Sequence, residues 1–155
     1  MKMTSLCYIE QDNMYLMLHR ITKENDENRD KWIGIGGKFE EGESPEECAI
    51  REIKEETGLS ADDLDYRGIV TFVSDEYGTE YMHLFKCTSF SGEIKDCDEG
   101  VLEWIDKNEL FALEMWEGDK IFLRLLDEER PFFSLKLCYK GEKLVSAHLD
   151  REVII

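Results

Sequence analysis

Gly37-Lys38-Phe39-Glu40-Glu41-Gly42-Glu43-Ser44-Pro45-Glu46-Glu47-Cys48-Ala49-Ile50-Arg51-Glu52-Ile53-Lys54-Glu55-Glu56-Thr57-Gly58-Leu59 is the stretch on which the reading of this chain turns. Ser44 is a good N-cap, Pro45 fits the first helical position, and Glu47 completes a Ser-x-x-Glu capping box. Gly58 supplies the C-terminal stop. The spacing predicts a helix from about Pro45 to Thr57, entered from a polar, glycine-bearing loop.

Side chains three or four apart in a helix share a face. At roughly 100° per residue, Glu52 and Glu56 lie about 40° apart, and Glu55 about 60° beyond Glu52. Ala49, Ile50 and Ile53 fall on the neighbouring face and are expected to bury against a sheet. Three carboxylates are therefore expected beside a core-facing stripe. Like charges at these spacings repel, and the C-terminal half of a helix disfavours anions. A divalent cation removes that conflict, and magnesium suits oxygen ligands and bridges to phosphates. The competing explanation is a solvated acidic face on an acidic chain.

The rest of the chain bounds the answer. Its 155 residues suit one domain over 1–155, without repeats or linkers. A formal net charge of −17 argues against binding a nucleic acid polymer. No stretch reads as a signal peptide or a membrane span. Cys7, Cys48, Cys87, Cys97 and Cys138 are odd in number and form no Cys-x-x-Cys pair, so free thiols in a reducing cytoplasm are expected.

Strands are expected at 4–10 and 14–20 around Gln11-Asp12-Asn13, then at 66–74, 79–88 and 101–105. Residues 22–31 are almost purely polar and read as a loop. Residues 32–39 mix strand residues with glycines, which predicts a bend or a close approach. Ile121, Phe122, Leu125 and Leu126 mark a second helix over 117–128, and 132–139 with 143–149 form a hairpin around Lys140-Gly141-Glu142. Strands outnumber helices and look mostly antiparallel. The fold class expected is α+β, an α/β/α sandwich whose mixed sheet is covered by helices.

Read together, loop and helix resemble the Nudix box, G-x5-E-x7-R-E-U-x-E-E-x-G-U with U a large aliphatic. Gly37, Glu43, Arg51, Glu52, Ile53, Glu55, Glu56, Gly58 and Leu59 occupy every specified position. The resemblance implies a sandwich in which this loop and helix bind metal, Mg2+ or alternatively Mn2+. Glu52 and Glu56 match principal metal ligands, and Glu55 a further ligand or proton-handling group. These three are the candidate catalytic residues. Glu43 and Arg51 match a structural ion pair, and the Gly36 carbonyl a further ligand. Glu99, on an acidic turn before a strand, matches another metal-binding carboxylate or is a plain turn residue.

Beyond the box, Lys31 to Lys38 and Glu114-Met115-Trp116-Glu117-Gly118-Asp119 resemble the MutT-type 8-oxo-dGTP diphosphatases, especially their animal branch. That match implies Trp116 stacking on a purine and Asp119 bonding its edge, with Ile33, Lys38 and Phe72 on the substrate side. Phe72 reads equally as core packing, and Trp116 and Asp119 as a helix start. Two departures alter the pocket's hydrogen bonding. Ile33 stands where the animal enzymes carry a base-reading Asn, and Gly118 where they carry the first of two Asp residues.

The expected reaction is water attack on phosphorus in a nucleoside triphosphate, an oxidised purine dNTP foremost, releasing the monophosphate and pyrophosphate. Metal would neutralise phosphate oxygens and lower the pKa of the water, and a carboxylate would accept the proton. The alternatives are ADP-ribose, a dinucleotide or an unmodified dNTP as substrate, or a non-catalytic nucleotide-binding module. Such modules commonly lose box carboxylates, and this chain keeps them.

Overall fold

The computed structural model describes residues 1–21, 27–128 and 130–155. In chain order it forms β1 (Lys2–Gln11), β2 (Met14–His19), β3 (Trp32–Ile33), β4 (Ile35–Lys38) and α1 (Pro45–Thr57). These are followed by β5 (Ser60–Ala61), β6 (Asp65–Ser74), β7 (Gly78–Cys87), β8 (Phe90–Ser91) and β9 (Val101–Asp106). A single 3-10 turn, Leu110–Ala112, leads to α2 (Glu117–Asp127), β10 (Phe133–Lys140), β11 (Lys143–Leu149) and β12 (Glu152–Val153).

Helix α1 begins and ends where its caps place it. The Ser44 hydroxyl accepts from the Glu47 N–H at 3.1 Å, and Glu47 Oε1 accepts from the Ser44 N–H at 2.9 Å. Gly58 takes φ 83°, a left-handed conformation that favours glycine, and its N–H closes on the Lys54 carbonyl at 3.0 Å.

The main sheet runs β12-β11-β10-β6-β7-β1-β2-β3, with β4 also on β1 and β9 also on β2. Most pairings are antiparallel, as the short turns require. Two are parallel, β1 with β7 and β10 with β6, and both join strands far apart in sequence. Alternation along β1 splits its side chains between two cores. Cys7 and Ile9 pack with Ile53 and Phe85 under α1, whereas Tyr8 packs with Phe72, Trp116 and Phe122 under α2. The sheet is thereby covered on both faces, an α+β sandwich.

Two features differ from the sequence reading, the buried face of α1 and three short strands. Ile50 is 47% exposed, because α1 buries Cys48, Ala49, Ile53, Glu56 and Thr57 instead. The bend expected over 32–39 is present: the segment is two strands broken at Gly34, one on β2 and the other on β1. The short strands β5, β8 and β12 lacked an alternating pattern long enough to read. Of the polar loop expected over 22–31, residues 22–26 lie outside the described residues, and residues 27–30 form turns. The five cysteines are free thiols. Among the described residues, no helix is long and apolar enough to cross a membrane.

Candidate active site

Arg51 organises the first turns of the site. Its Nε and Nη2 grip the two Glu43 oxygens at 2.7 and 2.9 Å, a bidentate pair. Nη2 also donates to the Lys38 carbonyl at 2.9 Å, tying the end of β4 to the helix. The Arg51 hydrogen bonds and the Glu40 N–H pull the Glu43 carboxyl down to about 2. The remaining nitrogen, Nη1, reaches Glu52 at 2.8 Å and Glu55 at 3.2 Å.

The three helix glutamates do not share one environment. The Glu55 side chain is 58% exposed and lies along Arg51, one turn back. Glu52 turns toward β4. A Cβ on Gly37 would sit 2.7 Å from the Glu52 carboxyl, so glycine is what lets the backbone approach. Glu56 is 6% exposed, and its Oε2 accepts from the Gly36 N–H at 3.0 Å. The three part because the helical offsets place Glu52 and Glu56 over the sheet and swing Glu55 outward.

Burial is the main force on the Glu56 carboxyl, followed by the hydrogen bond and charge of Glu99 and the charge of Glu52. Together they push it up to about 10. Burial likewise raises Glu52, against the opposing pull of Arg51. Glu52 and Glu99 thus both oppose ionisation of the buried Glu56 carboxyl, against the Gly36 N–H that favours it. The donor set of Glu52, Glu56, Glu99 and the Gly36 carbonyl is all oxygen, which fits a hard divalent cation. As the side chains stand, no three acidic, histidine or cysteine groups among the described residues converge closely enough to hold a metal ion. Arg51 holds Glu52, and Arg20 holds Glu99 at 3.0 Å.

A cleft of about 510 Å³ runs from this acidic end to an aromatic one. Gly36, Glu52 and Glu99 line it at one end, and Phe72, Trp116 and Asp119 at the other, with Ile33 and Lys38 also in its wall. Glu55 and Glu56 do not line it. Trp116 meets Phe72 and Tyr139 edge to face at 5.4 and 5.0 Å between centroids. Its indole N–H donates to Asn28 Oδ1 at 2.8 Å, and the Lys31 ammonium lies 4.6 Å over its ring. Lys31 is itself paired with Glu142 of the β10–β11 hairpin. Asp119 sits in the first turn of α2. Burial first, then the charge of Glu80, push its carboxyl up to about 8 against the pull of Lys31.

The NUDIX domain profile matches residues 2–126. The chain belongs to the Nudix family. It is 30% identical to the uncharacterized Nudix hydrolase YvcI of Bacillus subtilis (strain 168) over 154 residues, 96% of this chain and 94% of that one. It is 32% identical to the oxidized purine nucleoside triphosphate hydrolase of Danio rerio over 126 residues, 79% of each chain. Its fold matches the crystal structure of the mMutator MutT protein from Bacillus halodurans with a TM-score of 0.85, at 32% identity over 98% of this chain and 99% of that one. The chain is thus a Nudix hydrolase with MutT-like relatives, a family that acts on small nucleotides and generally uses divalent metals.

The structure also explains one departure in this Nudix hydrolase. Gly118 has no room for a side chain: a Cβ there would lie 2.4 Å from Leu137 Cδ1 and 2.7 Å from the Tyr139 hydroxyl. Its N–H donates to that hydroxyl at 2.6 Å. Sequence reasoning missed Thr4, Arg20, Asn28 and Glu80, all of which line the cleft. Glu80 was detectable: alternation along β7 places it on the face of Met82 and Leu84, where a charge is out of pattern.

Proposed function

We propose that this chain hydrolyses the diphosphate linkage of a nucleoside triphosphate, an oxidised purine dNTP foremost, to the monophosphate and pyrophosphate, with Mg2+ or Mn2+ bound. The observation that carries this reading is the cleft that joins the Glu52 and Glu99 carboxyls to an aromatic wall. The names of the Danio rerio relative and the Bacillus halodurans MutT protein agree with it. We read 1–155 as one unit, since β10 to β12 extend the same sheet as β6, and as acting in the cytoplasm, where its free thiols would stay reduced.

Glu52, Glu56, Glu99 and the Gly36 carbonyl would hold the metal. When bound, it would neutralise phosphate oxygens and acidify a water. Arg51 keeps Glu43 and the loop end at Lys38 against the helix, so the carboxyls start from fixed positions. Glu55, exposed and near neither core, is placed to accept a proton at its carboxylate. Phe72 and Trp116 offer the base an apolar wall, Asp119 offers its edge a polar partner, and Lys38 supplies positive charge in the same cleft.

A panel of oxidised and unmodified purine triphosphates with Mg2+, read by released pyrophosphate, tests this reading. Fastest release from the oxidised purines supports it. Cleavage of ADP-ribose or dinucleotides with no pyrophosphate from any triphosphate overturns it. That second reading draws on Gly118 and Ile33, which leave the α2 end and β3 without the polar side chains of the animal enzymes.

A further inference from the structure

We propose that Glu80, in the middle of the sheet, determines base specificity: its carboxylate, in the same cleft as Asp119, accepts adjacent N–H donors of a purine edge, favouring a guanine-type edge over an adenine-type one. The inference rests on the reading of the aromatic end as the base site. Glu80 is paired directly across β6 and β7 with Phe72, so its side chain shares the cleft face with the aromatic wall. Met82 and Thr4 flank it on the same face.

The energetics argue that this carboxyl is kept for a ligand. Its side chain is 16% exposed. Among the described residues, the Thr4 hydroxyl donates to its Oε2 at 2.8 Å. The neighbouring cation is shared: Lys2 Nζ lies 3.2 Å from Glu27 and 3.7 Å from Glu80. In the same cleft stands a second buried carboxyl, Asp119, whose nearby cation Lys31 is engaged by Glu142 and the Trp116 ring. Burial raises both carboxyls above their ordinary range. A methionine or leucine at position 80 would pack on Phe72 and Met82 without that electrostatic cost. What a carboxylate adds is acceptor capacity, up to four lone-pair sites, of which Thr4 uses one. Guanine presents N1–H and an amino group side by side, a match for paired acceptors. Adenine presents a ring acceptor beside its amino group, and that acceptor would face a carboxylate oxygen.

The test is calorimetric titration of the full chain, without metal, by dGMP and dAMP, repeated with Glu80→Gln and with Glu80→Met. Wild type is expected to bind dGMP more tightly, and both variants to lose about 10- to 100-fold of that preference, the range for hydrogen bonds to a charged group. Equal wild-type affinity for the two nucleotides, no binding of either, or an unchanged ratio in a folded variant would overturn the proposal. The wild-type ratio decides the matter even if neither variant folds. Pyrophosphate release, measured separately, reports on the reaction: release without base preference removes this inference alone, and base preference without release removes the reaction alone.

Discussion

At the helix end of the cleft Glu56 is buried among other carboxyls, whereas at the aromatic end Asp119 is buried between Glu80 and Lys31. Both groups are raised far above an ordinary carboxylate, Glu56 to about 10 and Asp119 to about 8. The neighbours differ in kind. Around Glu56 stand the charges of Glu99 and Glu52, opposed by the Gly36 N–H, an arrangement a divalent cation relieves. Around Asp119 a cation already stands nearby, and rings close the rest of the space, an arrangement suited to the edge of a planar ligand. Burial alone therefore does not state what a carboxyl is for; the sign and shape of its surroundings do.

The largest expected effect breaks the helix end. Glu56→Gln should lower kcat by roughly 10²- to 10⁴-fold, the range for losing a positioned acid-base or ligand group, while circular dichroism stays unchanged. Chelation of divalent ions should abolish turnover in wild type, and Mg2+ should restore it. Near-normal turnover in the Gln variant would show that the carboxyl cluster is not catalytic machinery.

The aromatic end should respond through stability as well as affinity. Trp116→Ala removes a buried ring packed on Phe72 and Tyr139 and should cost ~3–5 kcal/mol in chemical denaturation, with KM rising. A rise in KM with no loss of stability would mean that the ring serves the ligand and not the core. Gly118→Ala probes the same end by overfilling it. Its new methyl group meets Leu137 and Tyr139, so about 1–3 kcal/mol of destabilisation is expected. A neutral outcome would show that the pocket yields, and that an acidic side chain could be accommodated there.

The effect that is smallest within any one pH unit sharpens the contrast between the two carboxyls. The folded state keeps a proton on Asp119 that the unfolded chain releases. The stability this carboxyl contributes is complete below its ordinary value of about 3.9 and is lost as pH rises through about 8. Asp119→Asn cannot lose that proton. Between pH 4 and 8 wild-type unfolding free energy should fall relative to the variant by up to ~1.4 kcal/mol per pH unit. Parallel pH profiles would mean that Asp119 is already ionised, held by Lys31.

Helix α1 was legible to the residue because Ser44, Pro45, Glu47 and Gly58 act within one turn of the ends they set. The long strands β1, β6 and β7 were legible within a few residues, since alternation persists over many positions. The same local logic misjudged Ile50. Its face of the helix is apolar in sequence, but which face meets the sheet depends on how β1 and β4 support the helix.

The sequence by itself determined the caps, the strand periods and the spacing that sets Arg51 against Glu43 and Glu55, because those interactions act between near neighbours along the chain. Tertiary structure decided that Glu99 meets Glu56, that Glu80 faces Asp119 and that Gly118 is walled in by Leu137 and Tyr139. Those contacts close loops of about 20 to 40 residues through the pairing of β2 with β9, of β1 with β7 and of β6 with β10. No local preference specifies such pairings; they form when the whole sheet buries both of its faces.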